Sequence, residues 1–174
     1  MALALYLATA AATAGFVVAS VFGFVLAARG PGDPMIRALV SRHVLYAIPT
    51  VMLSLFSQSM VIFYFIGTGQ LVKEEIGGFP EASRQRIRRA LRRFKARTSP
   101  AATFAMLAAI FVFVAGGWVH TTPAARRALP RAIHLSATIV AVALHLWALR
   151  IESEAFGENH RLMGDPAAYG AEGA

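Results

Sequence analysis

Four long stretches of the chain contain no Asp, Glu, Lys or Arg, and short polar segments separate them. They cover residues 1–28, 43–72, 98–122 and 132–149. A helix needs about 20 apolar residues to cross the hydrocarbon core of a bilayer, and each stretch approaches or exceeds that length. We therefore predict an all-α integral membrane protein, a bundle of four transmembrane helices numbered 1 to 4 in chain order. Residues 1–163 would form this single domain, and the Gly- and Ala-rich residues 164–174 a flexible or partner-bound tail.

The composition agrees with a membrane protein. Hydrophobic residues make up 57% of the chain and charged residues only 15%, which is less charge than soluble domains carry. The chain contains no cysteine, which excludes disulfides, thiolate metal sites, c-type haem attachment and cysteine-bound iron–sulfur clusters. Residues 1–28 lack the basic start and the short apolar run of a signal peptide, so we expect them to be the first spanning helix.

The basic residues are unevenly distributed between the two ends of the predicted bundle. Of the 17 Lys and Arg, eleven lie between helices 2 and 3 or after helix 4, and six lie in the other two connections. Basic residues accumulate on the cytoplasmic side of a membrane protein. We therefore expect a multi-pass protein of the inner (cytoplasmic) membrane, with its N-terminus and C-terminus in the cytoplasm.

The segment between helices 2 and 3 is predicted to contain an amphipathic basic helix. Pro80 and Glu81 suit the start of a helix. Apolar residues then recur at helical spacing, at Ile87, Ala90, Leu91 and Phe94. Arginines occupy other sides of the same helix, at Arg84, Arg88, Arg89, Arg92 and Arg93. We interpret this as a cytoplasmic helix on the membrane surface that binds anionic lipid, or alternatively docks an acidic partner. An apolar stripe beside a membrane argues against nucleic acid.

Helix 1 carries a regular stripe of small residues. They recur every four positions, at Ala11, Gly15, Ala19, Gly23 and Ala27. Such a stripe lets another helix approach closely. It predicts helix packing, against a partner in this chain or in another subunit, and it does not indicate chemistry.

Helix 4 places two histidines on one face. Positions 134, 138, 141, 145, 148 and 152 share that face at 100° per residue, and we expect it to point into the bundle. His145 lies in apolar sequence, which makes it a functional candidate by default. Glu152 ends the stripe near the cytoplasmic surface, where Glu152, Glu154 and Glu158 are interpreted as a solvated helix end.

Two groups of residues are candidates for holding a cofactor. The outer group consists of His43, His120 and His134, each at an end of a predicted helix. Imidazoles from neighbouring helices hold b-type haem in helix bundles, and they also bind Zn or Cu. The deeper group has His145 with Met60 or Met106 as a His/Met haem, or His145 hydrogen-bonded to Gln58 or a serine.

Two functions remain open from the sequence. The first is a small membrane subunit that binds haem b through these histidines and transfers electrons within a larger complex, with other membrane subunits and a quinone as candidate partners. The alternative is a non-catalytic accessory subunit without a cofactor. A transporter is disfavoured because we find no inverted repeat and expect no acid inside the membrane. A hydrolase is disfavoured because no buried carboxylate is expected.

Overall fold

A computed structural model describes residues 2–29, 33–123 and 126–171 of the chain. The helices are α1 (Ala2–Ala28), α2 (Ile36–Glu75), α3 (Glu81–Thr121), α4 (Ala128–Gly164) and α5 (Pro166–Ala171), with a 3-10 turn at Ile76–Gly78. The first four are long and apolar enough to cross a membrane. The predicted bundle of four membrane-length helices is therefore confirmed.

The four long helices pack side by side, and each neighbours the next in the chain. Contacts join α1 to α2, α2 to α3, α3 to α4 and α4 back to α1, so that α2 and α4 lie across a diagonal of the bundle. Large apolar side chains cover the outside, for example Leu45, Phe56, Phe63, Val114 and Leu146. An apolar exterior of this extent is the surface that a lipid-embedded bundle presents.

Three of the helices are longer than a bilayer requires. At 1.5 Å per residue, α1 is about 40 Å long, whereas α2, α3 and α4 are each about 55 to 60 Å long. The additional length lies at the end of the bundle where α1 begins, because the other end carries the short connections from α1 to α2 and from α3 to α4. There α2, α3 and α4 form what we call the three-helix extension, closed by the turn Ile76–Gly78.

The extension has its own apolar core, and this corrects one prediction. Residues 81–99 are not a separate helix on a membrane surface but the first half of α3, which runs through Pro100 without a break. Ile87 and Phe94 from their apolar face are buried against Val72 of α2 and Leu162 of α4. The sequence correctly located the apolar face, but α2 and α4 are long enough to cover it in place of lipid.

The end of the chain packs on the same extension. Residues 166–171, expected to be flexible or partner-bound, form the short helix α5, in which Gly170 is buried. The guanidinium of Arg86 donates a hydrogen bond to the Gly170 carbonyl over 3.0 Å. A Cβ at Gly170 would lie 3.0 Å from Cβ of Ser83, so α5 approaches α3 closely. Residues 172–174 of the expected tail lie outside the described residues.

The small-residue stripe of helix 1 faces α2 of the same chain. A Cβ at Gly15 would lie 2.6 Å from Oγ1 of Thr50, too close for any residue larger than glycine without movement. Along the rest of the stripe Ala19 is buried, Gly23 and Ala27 are half-buried, and Ala11 is exposed. The predicted close approach therefore occurs within the chain, and the outward Ala11 does not take part in it.

Candidate functional site

An apolar cavity lies between all four long helices at the end of the bundle opposite the extension. Its volume is about 330 Å³, and His43, His120 and His134 are among its lining residues. Cavities of this size, mostly apolar and with a few polar groups, are typical of small-molecule and cofactor sites. The structure thus brings the three histidines of the outer group to one cavity.

His43 and His134 face this cavity from α2 and α4, across the diagonal of the bundle. Nδ1 of His43 lies 3.0 Å from the Ala19 carbonyl, and Nδ1 of His134 lies 3.2 Å from the Val112 carbonyl. A carbonyl only accepts, so each Nδ1 carries the proton and each Nε2 carries a lone pair. The ring centroids are 6.2 Å apart with an interplanar angle of 81°. Within the described ranges no hydrogen bond engages either Nε2.

Each of these two rings lies against a glycine of a neighbouring helix. A Cβ at Gly23 of α1 would lie 3.2 Å from Cε1 of His43, and one at Gly116 of α3 would lie 3.1 Å from Cε1 of His134. The two glycines therefore determine how far each ring reaches toward its neighbouring helix. Gly23 was predicted from the small-residue stripe to serve packing alone, and Gly116 was not predicted to contact a histidine. The feature of the sequence that could have indicated Gly116 is that a small residue lies at the same depth along the bundle as each of His43 and His134.

His120 takes a different position from the other two. It lines the cavity from the end of α3, but its side chain is exposed. Among the described residues no group of three or more His, Cys, Asp or Glu is close enough to hold a metal ion. The outer group is therefore a pair of histidines with a third at the rim, and it is not a three-histidine centre.

His145 is fully buried, and both of its ring nitrogens are engaged. Nδ1 lies 2.8 Å from the Ala141 carbonyl, and Nε2 lies 2.7 Å from the hydroxyl of Ser54. Since Nδ1 donates to the carbonyl, the Ser54 hydroxyl donates to Nε2. The ring also contacts the ring of Phe16, with 4.1 Å between the centroids and an interplanar angle of 30°. The structure thus contains the serine-bonded alternative, in which no nitrogen of His145 is available to a metal.

The remaining members of the deeper group lie elsewhere. The sulfur of Met106 accepts a hydrogen bond from Ser59 over 3.4 Å. Met60 packs against the apolar core of the extension. Gln58 is fully buried, and its amide faces Glu152 rather than His145. The structure does not bring these residues together as a second cofactor site.

The inward face predicted for helix 4 is confirmed. His134 is half-buried, and Thr138, Ala141, His145, Ala148 and Glu152 are buried. This finding also corrects the expected position of Glu152. Its carboxyl is inside the bundle with no exposed surface, whereas Glu154 and Glu158 are exposed as predicted. The bundle does contain a buried acid, and the helical period that placed His145 inside had already indicated it.

The predicted docking arginines lie on the outside of the extension. Arg88, Arg89, Arg92 and Arg93 are exposed, and Arg84 is half-buried and paired with Glu81 at 2.5 Å. Their charge is therefore available at the surface, while the apolar side of the same helix is turned inward.

Comparisons with known protein families, with curated protein sequences and with solved structures found no match to this chain. The fold class follows from the four membrane-length helices themselves. What the cavity and its histidines do has to be inferred from their geometry.

Proposed function

We propose that this protein is an electron-transfer subunit of a membrane complex, and that it holds one haem b between His43 and His134. The observation that carries the proposal is the state of these two imidazoles. In each, Nδ1 is bound to a backbone carbonyl, and Nε2 makes no hydrogen bond with any residue that the structure describes; the two rings face each other across the diagonal of an apolar cavity. A second hydrogen bond from the ring to a carbonyl is the usual support of a metal-binding histidine.

The residues present suit haem better than a bare metal ion. Zinc in proteins takes three or four protein ligands, and the described residues supply no group of three. Haem iron needs only axial ligands from the protein. The ring centroids are 6.2 Å apart, a separation compatible with both imidazoles holding one iron atom through nitrogen bonds of about 2 Å.

The chain's own residues prepare the site in three ways. The carbonyls of Ala19 and Val112 fix the tautomer of each imidazole and raise its basicity. Gly23 and Gly116 let the rings lie against the helices that face them. The lining of the cavity is mostly apolar, and a hydrophobic surrounding is one of the means by which a protein adjusts a redox potential. Haem b, when bound, supplies reversible one-electron transfer.

The proposed setting follows the distribution of charge. The extension, with its exposed arginines, would face the cytoplasm and place both ends of the chain there, in an inner (cytoplasmic) membrane. The haem would then lie toward the outer side. Arg88, Arg89, Arg92 and Arg93 would contact anionic lipid headgroups. A quinol or another membrane subunit would supply the electrons.

The test is the visible spectrum of the purified protein. The full chain, made with ample haem precursor and purified in mild detergent, should show a Soret band, and sharp α and β bands after dithionite reduction. A pyridine haemochrome assay should identify the haem as b. His43→Ala and His134→Ala should each lose these bands, because either change removes an axial ligand.

His120→Ala is the matched control, since it changes a histidine of the same cavity that has no carbonyl-bound Nδ1. It should keep the spectrum. A colourless wild-type protein that also fails to bind added haemin would contradict the proposal. So would a haem spectrum that survives both His43→Ala and His134→Ala.

A further inference from the structure

A column of unpartnered polar atoms runs through the other half of the bundle. Both amide atoms of Gln58, both carboxyl oxygens of Glu152 and Oδ1 of Asn159 are buried and make no hydrogen bond of ordinary geometry, although Thr9 and Gln58 lie close enough to the Glu152 carboxyl for longer polar contacts. All three side chains have 0% exposure. Among the described residues the one other such atom is Nε of Arg84. Buried polar groups in proteins are almost always paired, so a set of neighbouring groups without good hydrogen bonds requires a physical explanation.

Polar side chains from α1, α2 and α4 mark a path along the interior of the bundle, in two groups. Thr9 of α1 and Gln58 of α2 face the carboxyl of Glu152. Asn159 lies two turns further along α4 on the same face, about 10 Å away. Its amide nitrogen donates to the hydroxyl of Tyr64 over 3.0 Å and approaches Oγ1 of Thr68 at 3.4 Å. The path leads from Glu152 toward the three-helix extension.

No charged group in the described part of the chain balances the carboxyl of Glu152. The helices α1 and α2 present the uncharged Thr9 and Gln58 to it. From α3, Arg97 binds Glu154 at 2.6 Å on the exposed side of α4, where Arg150 also pairs with Glu154 at 3.3 Å.

The closest titratable side chain on the buried face of α4 is His145, two turns away and already bound to Ser54. An isolated carboxylate in an apolar interior is very costly, so such a group takes up a proton or a cation. Hard divalent cations need about six to eight oxygen ligands, and no group of three acidic or histidine side chains exists among the described residues. The surroundings therefore suit a proton.

We propose that Glu152 is a proton-exchanging carboxyl inside the membrane, connected to solvent at the extension by Asn159 and Tyr64. A proton from water joins the carboxylate to give the neutral acid, with Gln58 and Thr9 as its polar neighbours, and the reverse step returns it. One O–H bond is made or broken, and no electrons are transferred. This site is independent of the proposed haem, since Phe16 and His145 lie between the two.

The experiment is infrared difference spectroscopy of the full chain in lipid nanodiscs, with steps of pH and exchange into D2O. We expect the C=O stretching band of a protonated carboxylic acid, which is lost at high pH and shifts in D2O. Glu152→Gln should remove this band. Glu154→Gln is the matched control, two residues away on the exposed face, and it should keep the band. Tyr64→Phe should slow the D2O shift several-fold, because it removes the relaying hydroxyl.

Each other outcome overturns the proposal. A band that persists in Glu152→Gln would belong to another group, and the absence of any band would mean that Glu152 is ionised. A band that sodium removes at constant pH would make the site a cation site. A band that never shifts in D2O would make Glu152 a sealed structural acid. Should Glu152→Gln not fold, Glu152→Asp together with ¹³C-labelled glutamate assigns the band by its frequency.

Discussion

The two halves of the bundle interior are built in opposite ways from the same four helices. The half with His43 and His134 encloses an apolar cavity of about 330 Å³. The half toward the extension is packed with aromatic rings beside the buried polar side chains of Gln58, Glu152 and Asn159. There the ring of Phe65 stacks on that of Phe156 with 5.4 Å between the centroids, and its centroid is 6.3 Å from that of Phe94. One half has space for a ligand, and the other supplies the packing that holds the helices together.

The two halves differ because residues of different size face one another in the cavity and in the extension. At the cavity the histidine rings lie against Gly23 and Gly116, which fill little space. In the extension, Phe94 of α3 meets Phe65 and Phe156 of its neighbouring helices. Both arrangements satisfy the same pattern of inward apolar positions. A hydrophobic pattern therefore places a face inside the bundle without deciding whether that face closes on its neighbours.

The largest effect should come from the packed half. Phe94→Ala removes a ring that is 3% exposed in the core of the extension, and we expect the free energy of unfolding to fall by about 3–5 kcal/mol. Denaturation of the detergent-solubilised chain, followed by circular dichroism, measures this loss. Haem content at low temperature should not change.

Phe104→Ala is the control for this change, because Phe104 lies in the same helix and is 52% exposed. It should change the stability by much less. Equal effects of the two changes would mean that the apolar face of residues 81–99 is covered by lipid and not by α2 and α4.

Substitution of His145 and of His134 should have opposite effects on stability and on haem binding. His145→Ala leaves the Ser54 hydroxyl unpaired and opens space beside Phe16, so it should lower the free energy of unfolding by about 2–4 kcal/mol. The haem spectrum should remain. His134→Ala should do the reverse, with loss of haem and little change in the stability of the haem-free protein. If the His145→Ala protein were fully folded but had lost its haem, His145 would be a haem ligand, and the assignment of His43 and His134 as the ligands would be contradicted.

The smallest effect should come from a single methyl group at the cavity. Gly116→Ala would place a Cβ 3.1 Å from Cε1 of His134, and the ring must shift by a few tenths of an ångström. We expect about tenfold weaker haem binding, the size seen when support of a metal ligand is disturbed. Gly117→Ala is the neighbouring control, since its Cβ would meet no atom within 4 Å. Haemin titrations of the two variants that coincide would contradict the role given to Gly116.

The candidate site could be predicted in part. His43, His120 and His134 were expected near one end of the bundle from their positions at helix ends, and they do line one cavity. The depth of a residue along a helix follows from 1.5 Å per residue and needs no tertiary information. Which two rings come together was not predictable, because that depends on how each helix is rotated and where it crosses its neighbours.

The number of membrane-length helices and the inward face of helix 4 from position 134 to position 152 could be read from the amino-acid sequence alone. Both are local properties: the first follows from the length of each stretch without Asp, Glu, Lys or Arg, and the second from the helical period of 3.6 residues. Three features required the packed structure: the pairing of His145 with Ser54, the complete burial of Glu152, and the continuation of α2, α3 and α4 beyond these stretches. In each case the partner lies on another helix or the covering surface comes from one. The polarity of a side chain determines which kind of surroundings stabilises it, and the packing of segments distant in sequence determines which residues provide those surroundings.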